Sequence, residues 1–130
     1  MHNQFLKKFF FVDNFEPNII KIQDKKTLII FRNYNIENNT EEIIKLKKYC
    51  KKNQYKLFLA NNIKLAIKLD LDGAYIPSFN KNFQHLSFKL KKKFMLIGSA
   101  HNNHEFRIKK LQKVKIVFLS SVFKKNKNYL

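Results

Sequence analysis

Five places in this chain put polar side chains directly behind an apolar run. They are Arg32 with Asn33, Asn61, Ser78 with Asn80, Ser99 with His101, and Ser120 and Ser121 followed by Lys124, Lys125 and Lys127. Each residue type carries its own chemistry. Arg32 follows four apolar residues into what reads as a sheet rim, where a guanidinium fork is poised to grip an oxyanion. It is one of only two arginines, with Arg107, in a chain of 27 basic residues, which favours a specific role over a solvated strand end. His101 has an imidazole that moves protons at about neutral pH. Plainer roles compete: Asn61 and Asn102 sit where helix caps belong, and His101 precedes a capping box. Cys50 falls on the apolar side of a helical pattern with no histidine near it in sequence, so core filling outweighs nucleophilic chemistry. His2, His85 and His104 show no paired spacing of the HExxH kind and give no zinc site.

These polar residues need elements to hold them. The stretch from Lys56 to Ser78, KLFLANNIKLAIKLDLDGAYIPS, compresses a strand, a short helix and a second strand into little more than twenty residues. Leu57, Phe58 and Leu59 form the first apolar run, and Asn61 and Asn62 are good caps. Ile63, Ala66 and Ile67 share one helical face, and Asp72-Gly73 is expected to close the helix. Ala74, Tyr75 and Ile76 extend again until Pro77. Such a β-α-β unit builds a parallel sheet whose ligands sit beyond the carboxyl ends of the strands.

The same alternation runs through the whole chain. Further apolar runs lie at Phe9-Phe10-Phe11-Val12, Leu28-Ile29-Ile30-Phe31, residues 94–97, where Gly98-Ser99 is expected to break the strand, and Ile116-Val117-Phe118-Leu119. A weak helical segment covers 17–23. A clear helix follows Asn39, with Glu42 as its capping-box partner and Ile43, Leu46 and Cys50 on one face. Residues 81–92 form a poorer helix with Phe83, Leu86 and Leu90 spaced for burial. Asn102 and Glu105 repeat the capping box ahead of Phe106 and Leu111. Six runs apolar on both faces, alternating with helices, give an α/β protein with a covered parallel sheet. Two architectures fit: an open doubly wound sheet, or a (β/α) barrel with six of the usual eight units.

Composition narrows the class further. At 130 residues, 45% hydrophobic with 14 phenylalanines, the chain is a single globular domain, 1–130, ending in a polar basic tail over 120–130. The formal charge of +18 comes from lysines scattered over helix faces and not from clustered arginines, so no specific nucleic-acid partner is expected. The longest N-terminal apolar run is far too short to span a bilayer and ends at Asp13, so no membrane partner is expected and the location is read as cytoplasmic. One cysteine excludes a disulfide framework. With only Gly73 and Gly98 present, no glycine-rich phosphate loop of the GxGxxG or GxxxxGK[ST] type exists.

The ordered set IIFRNYN, LFLANNIKLAIKLDLDGAYIPS, LIGSAHN and VFLSSVF resembles the thiamine phosphate synthase family, which includes the thiazole tautomerases. The likeness runs over nearly the full chain. It implies a (β/α)8-type, TIM-barrel-like fold with about six of the eight units present. It implies an enzyme of thiamine biosynthesis that joins hydroxymethylpyrimidine diphosphate to a thiazole phosphate, releases pyrophosphate and uses Mg²⁺. Its partners are then small phosphorylated substrates. Carried over residue by residue, Arg32, with Asn33 beside it, and Ser99 contact the diphosphate, and Lys125 or Lys127 stands for the basic residue after strand six. His101 matches the proton-transfer histidine of tautomerases. Asn61 and Asn80 fall at the metal positions, where relatives carry carboxylates; two neutral amides hold a hard cation less firmly. The family continues for two more strands where this chain ends at Leu130. The resemblance therefore also implies a homo-oligomer or a complementing chain to cover the edge strands. A metal-independent tautomerase-like or ligand-binding relative, and a non-catalytic remnant or subunit, are the alternatives.

Overall fold

Six strands in strict sequence order organise the molecule. The computed structural model describes residues 8–34 and 40–119. The elements are β1 (Phe9–Val12), α1 (Pro17–Ile20), β2 (Leu28–Phe31), α2 (Thr40–Lys52), β3 (Lys56–Ala60), α3 (Ile63–Lys68), β4 (Gly73–Ile76), β5 (Met95–Ala100), α4 (Asn103–Leu111) and β6 (Ile116–Leu119), with a 3₁₀ turn at Gln84–Ser87. All strands pair in parallel in the order β1-β2-β3-β4-β5-β6. This order decides between the two architectures, because a doubly wound sheet must reverse its strand order at a switch point and this sheet never does. The result is a curled half-barrel of the TIM-barrel-like α/β class.

Side-chain alternation sorts the sheet into two faces. Inward lie Leu28, Ile30, Phe58, Ala60, Tyr75 and Ile97, joined by Phe11, Met95, Ile116 and Phe118. Outward, Ile29, Phe31, Leu57, Leu59, Ala74, Ile76 and Leu96 pack on Ile20, Ile43, Leu46, Cys50 and Ala66 of the helices. The curl brings the edges together. Phe9 of β1 meets Phe118 of β6 with ring centroids 3.8 Å apart. Phe9 and Phe11 stack edge to face at 5.5 Å, and Phe11 does the same with Tyr75 of β4 at 5.3 Å. An aromatic chain thus crosses the interior from one edge strand to the far wall, filling space that a wider barrel would leave to further strands.

Several local expectations are corrected. Residues 81–92 do not form a helix: only the single turn at Gln84–Ser87 is helical, and Phe83 and Leu86 are exposed. Here the asparagines compete with the helix, because Asn80 Oδ1 accepts the Asn82 N–H and Asn82 Oδ1 accepts the Gln84 N–H. The helix before β4 closes at Lys68, with the left-handed residue Asp70 (φ 56°) just beyond it, and not at Asp72-Gly73. Asp72 instead accepts the Leu57 N–H, and Gly73 opens β4, where a side chain would overlap the Met95 carbonyl.

Nor does β5 break at Gly98-Ser99. It runs on to Ala100, and Gly98 pairs with both Ile76 and Val117. The glycine is there for close approach: an added Cβ would sit 2.6 Å from the Ile76 oxygen and 3.1 Å from Lys109 Cδ. In α2, Ile43, Leu46 and Cys50 are buried as the periodicity predicts. Its expected cap, Asn39, lies outside the described residues, and the Glu42 carboxylate accepts the Phe15 N–H across the β1–α1 loop at 2.7 Å.

Candidate functional site

The carboxyl ends of the strands carry three small constellations. The first centres on Arg32. Its guanidinium lies 3.7 Å from the Phe11 ring centroid, a cation–π contact that holds the exposed side chain at the mouth of the half-barrel. Below it, Tyr75 and Ser99 both point inward and share a hydrogen bond of 2.7 Å while nearly inaccessible to solvent. Burial pushes the Tyr75 phenol above its ordinary range, opposed by the Ser99 hydrogen bond and the positive charge of Arg32. Burial likewise raises Tyr34, again against the pull of Arg32. Tyr34 also stacks edge to face on Phe79 at 6.2 Å, and both rings are exposed. Arg32, Tyr34 and Phe79 lie on the exposed rim, Arg32 near both tyrosines, with the Tyr75–Ser99 pair buried as its floor. Asn33, beside them, donates to the Asp13 carbonyl oxygen at 3.0 Å and ties the β1 end to β2.

The second constellation joins β3 to β4. Asn61 and Asn62 divide the work at the head of α3. Asn62 is the cap, accepting the Leu65 N–H at 3.1 Å, whereas Asn61 adopts a left-handed backbone (φ 59°) and donates its N–H to Tyr75 O. The expectation that Asn61 caps the helix is therefore replaced. Freed from that task, its side chain accepts from Asn80 Nδ2 at 2.7 Å. Two positions 19 residues apart in sequence are in direct contact.

Beyond β5 lies the third. His101 Nδ1 sits 3.0 Å from Glu105 Oε1, and the same oxygen accepts the His101 N–H at 2.6 Å. The His101 backbone hydrogen bond, helped by the His101 ring, holds the Glu105 carboxyl below its usual range. An ionised carboxylate only accepts, so Nδ1 is the protonated nitrogen of this contact, and in the tautomer it selects the lone pair is on Nε2. Asn102 completes the helix start by accepting the Glu105 N–H at 2.9 Å. The capping box is real on that side, with the glutamate reaching one residue further back than the usual pattern.

One helix organises the last two groups. The buried positions of α4 and its cap are Lys109 and Gln112, both at 0%, whereas Leu111 is 63% exposed. With Asn102 and Glu105 they form an i, i+3, i+7, i+10 stripe, so the polar stripe of this helix carries its buried groups. Lys109 Nζ and Gln112 Nε2 both donate to the Asn80 carbonyl oxygen at 2.9 Å, and Gln112 also reaches Asn82 O at 3.0 Å. His85 Nε2 donates to Gln112 O at 2.7 Å. Burial lowers the Lys109 ammonium below the ordinary lysine range, with Glu105 partly restoring it. This pin, invisible to hydrophobic periodicity, sets where Asn80 stands. The signal that points to it is Gly98, which makes room for the lysine stem.

The described residues also form a cleft of about 590 Å³ at the opposite end of the strands, lined by Lys47, Lys51, Lys56, Lys91 and Lys93 with Asp70 and Asp72. Parallel α/β folds keep their chemistry at the other end. Lys125 and Lys127, with Lys124, Ser120 and Ser121, lie outside the described residues. No helix among the described residues is long and apolar enough to cross a membrane.

Parallel strands in sequential order, with polar groups gathered at their carboxyl ends, are the frame that the ordered motifs imply. The family model for thiamine monophosphate synthase matches residues 19–128 of the chain. The chain belongs to this family. A search of curated proteins returns no match. Within this thiamine monophosphate synthase frame, the motif positions after β2, β3, β4 and β5 fall on one rim of the half-barrel.

Proposed function

We propose that this member of the family acts on phosphorylated thiamine precursors, coupling hydroxymethylpyrimidine diphosphate to a thiazole phosphate with release of pyrophosphate. The observation that carries the reading is the rim arrangement of Arg32 over Phe11 beside the Tyr75–Ser99 pair. A stacked guanidinium loses little side-chain freedom when it binds a diphosphate, and the buried Tyr75–Ser99 pair closes the floor beneath it. Asn33, Lys125 and Lys127 are the further diphosphate contacts of this reading. Purified protein given both substrates should form thiamine phosphate, and Arg32→Ala should abolish the product without loss of fold. Absence of product above background at high enzyme concentration would reject the synthase reading.

The His101–Glu105 contact favours a second reading, a tautomerase-like relative that needs no metal. With Nδ1 held by the carboxylate, Nε2 is the one ring nitrogen able to take a proton from a substrate. In that case thiazole phosphate isomerisation, followed by NMR, should be lost in His101→Ala. An unchanged rate would remove the histidine from the mechanism.

A further inference from the structure

The contact between Asn61 and Asn80 changes what that part of the rim can hold. Asn80 Oδ1 accepts the Asn82 N–H at 2.8 Å, which fixes the orientation of the Asn80 amide and turns its Nδ2 toward Asn61. The atom of Asn61 facing it is therefore the oxygen, and that oxygen is engaged too. The third oxygen in reach, the Asn80 backbone carbonyl, already takes both Lys109 and Gln112. Each amide oxygen thus has one of its two lone pairs taken, while three N–H groups have no partner among the hydrogen bonds of the described residues: both of Asn61 Nδ2 and the second of Asn80 Nδ2.

The surroundings have the same character. Asn61 and Asn80 line a cavity of about 270 Å³ with Asn62, Asn82, Gln84 and Lys64 among their neighbours. Among the described residues no carboxylate lines it, and the one permanently charged lining residue, Lys64, is positive. A hard divalent cation needs several oxygen acceptors, preferably anionic, and this donor set does not fit one. Among the described residues, no group of three His, Cys, Asp or Glu side chains is placed to hold a metal ion.

We propose that the Asn61–Asn80 amide pair receives a phosphate-type oxyanion directly through its N–H donors, at the place where a metal-bridged site would need carboxylates. The inference rests on the reading of the rim as a site for phosphorylated ligands. Lys109 and Gln112 hold the Asn80 backbone carbonyl and so anchor the loop that carries the amide.

Inorganic pyrophosphate is the probe, titrated calorimetrically into the full chain with EDTA and again with excess Mg²⁺. The wild-type dissociation constant should agree within about threefold between the two buffers, because no cation bridges the contact. In the double variant Asn61→Asp, Asn80→Asp, affinity in EDTA should fall by roughly tenfold or more, and Mg²⁺ should restore it. Mg²⁺ alone should raise the melting temperature of that variant and leave the wild type unchanged. Wild-type binding that appears only with Mg²⁺, or a wild-type melting temperature raised by Mg²⁺ alone, would overturn the inference. Both measurements use the wild type, so a misfolded variant does not blunt them. If hydroxymethylpyrimidine diphosphate binds but only with Mg²⁺, the inference fails while the functional reading stands. If neither probe binds in either buffer, both fail.

Discussion

Removing the hydroxyl pair at the floor of the rim tests whether that floor is as closed as its geometry states. Tyr75 is 4% exposed and Ser99 7%, and their oxygens lie 2.7 Å apart. Tyr75→Phe keeps the ring and leaves the Ser99 hydroxyl without its partner. Ser99→Ala does the reverse to the phenol. A buried hydroxyl that loses its partner costs about 1–2 kcal/mol, whereas removing both partners restores a matched apolar contact at a cost of about 1 kcal/mol or less. The double variant should therefore be less destabilised than the sum of the singles by at least about 1 kcal/mol. For a chain of this length each kcal/mol moves the melting temperature by about 4 °C, well within calorimetric resolution. Urea denaturation of the four proteins, with equal slopes, gives the cycle directly. Single variants within about 0.5 kcal/mol of wild type and strictly additive in the double would mean that both hydroxyls are solvated, and the closed floor would be refuted.

Three further outcomes follow from particular contacts. Gly98→Ala should cost about 2 kcal/mol or more, because the new methyl meets the Ile76 carbonyl and the Lys109 stem; an unchanged urea midpoint would show that α4 does not press on β5 there. Glu105 is held below its ordinary value of 4.5, so its stabilisation is present above that pH and is lost as pH falls through the lower folded value; Glu105→Gln should flatten the acid limb of the melting curve. A variant whose acid limb runs parallel to wild type would contradict the His101 contact. Burial pushes the Cys50 thiol up to about 12, and at 1% exposure it should react with a disulfide reagent at pH 8 no faster than the protein unfolds; labelling in the mixing time would place it at the surface.

Strand placement was legible because each strand is apolar on both faces, a pattern that only a covered parallel sheet satisfies. Leu28-Ile29-Ile30-Phe31 is buried throughout, as is all of β3 after Lys56. The loops and helix faces were less legible where side-chain hydrogen bonds outcompete hydrophobic spacing. Phe83 and Leu86 have helical spacing, yet the Asn80 and Asn82 side chains take the backbone donors that a helix needs. In α4 the lysine and glutamine are buried while Leu111 is exposed, because their polar ends have partners waiting on the β4–β5 loop. No periodicity carries that information, since the partners are backbone carbonyls far away in the chain.

By itself the sequence determined the α/β class, the six strands and the family, since these follow from local hydrophobic pattern and ordered motifs. Tertiary structure decided the architecture, through the unreversed strand order and the meeting of Phe9 with Phe118. It also decided which site residues touch. Asn61 and Asn80 could be read as two separate strand-end amides; only the sheet, bringing β3 beside β4 and pinning the following loop from α4, makes them a pair. The physical reason is that a hydrogen bond depends on distance and orientation, and for residues far apart in sequence both are set by the packing of the whole sheet.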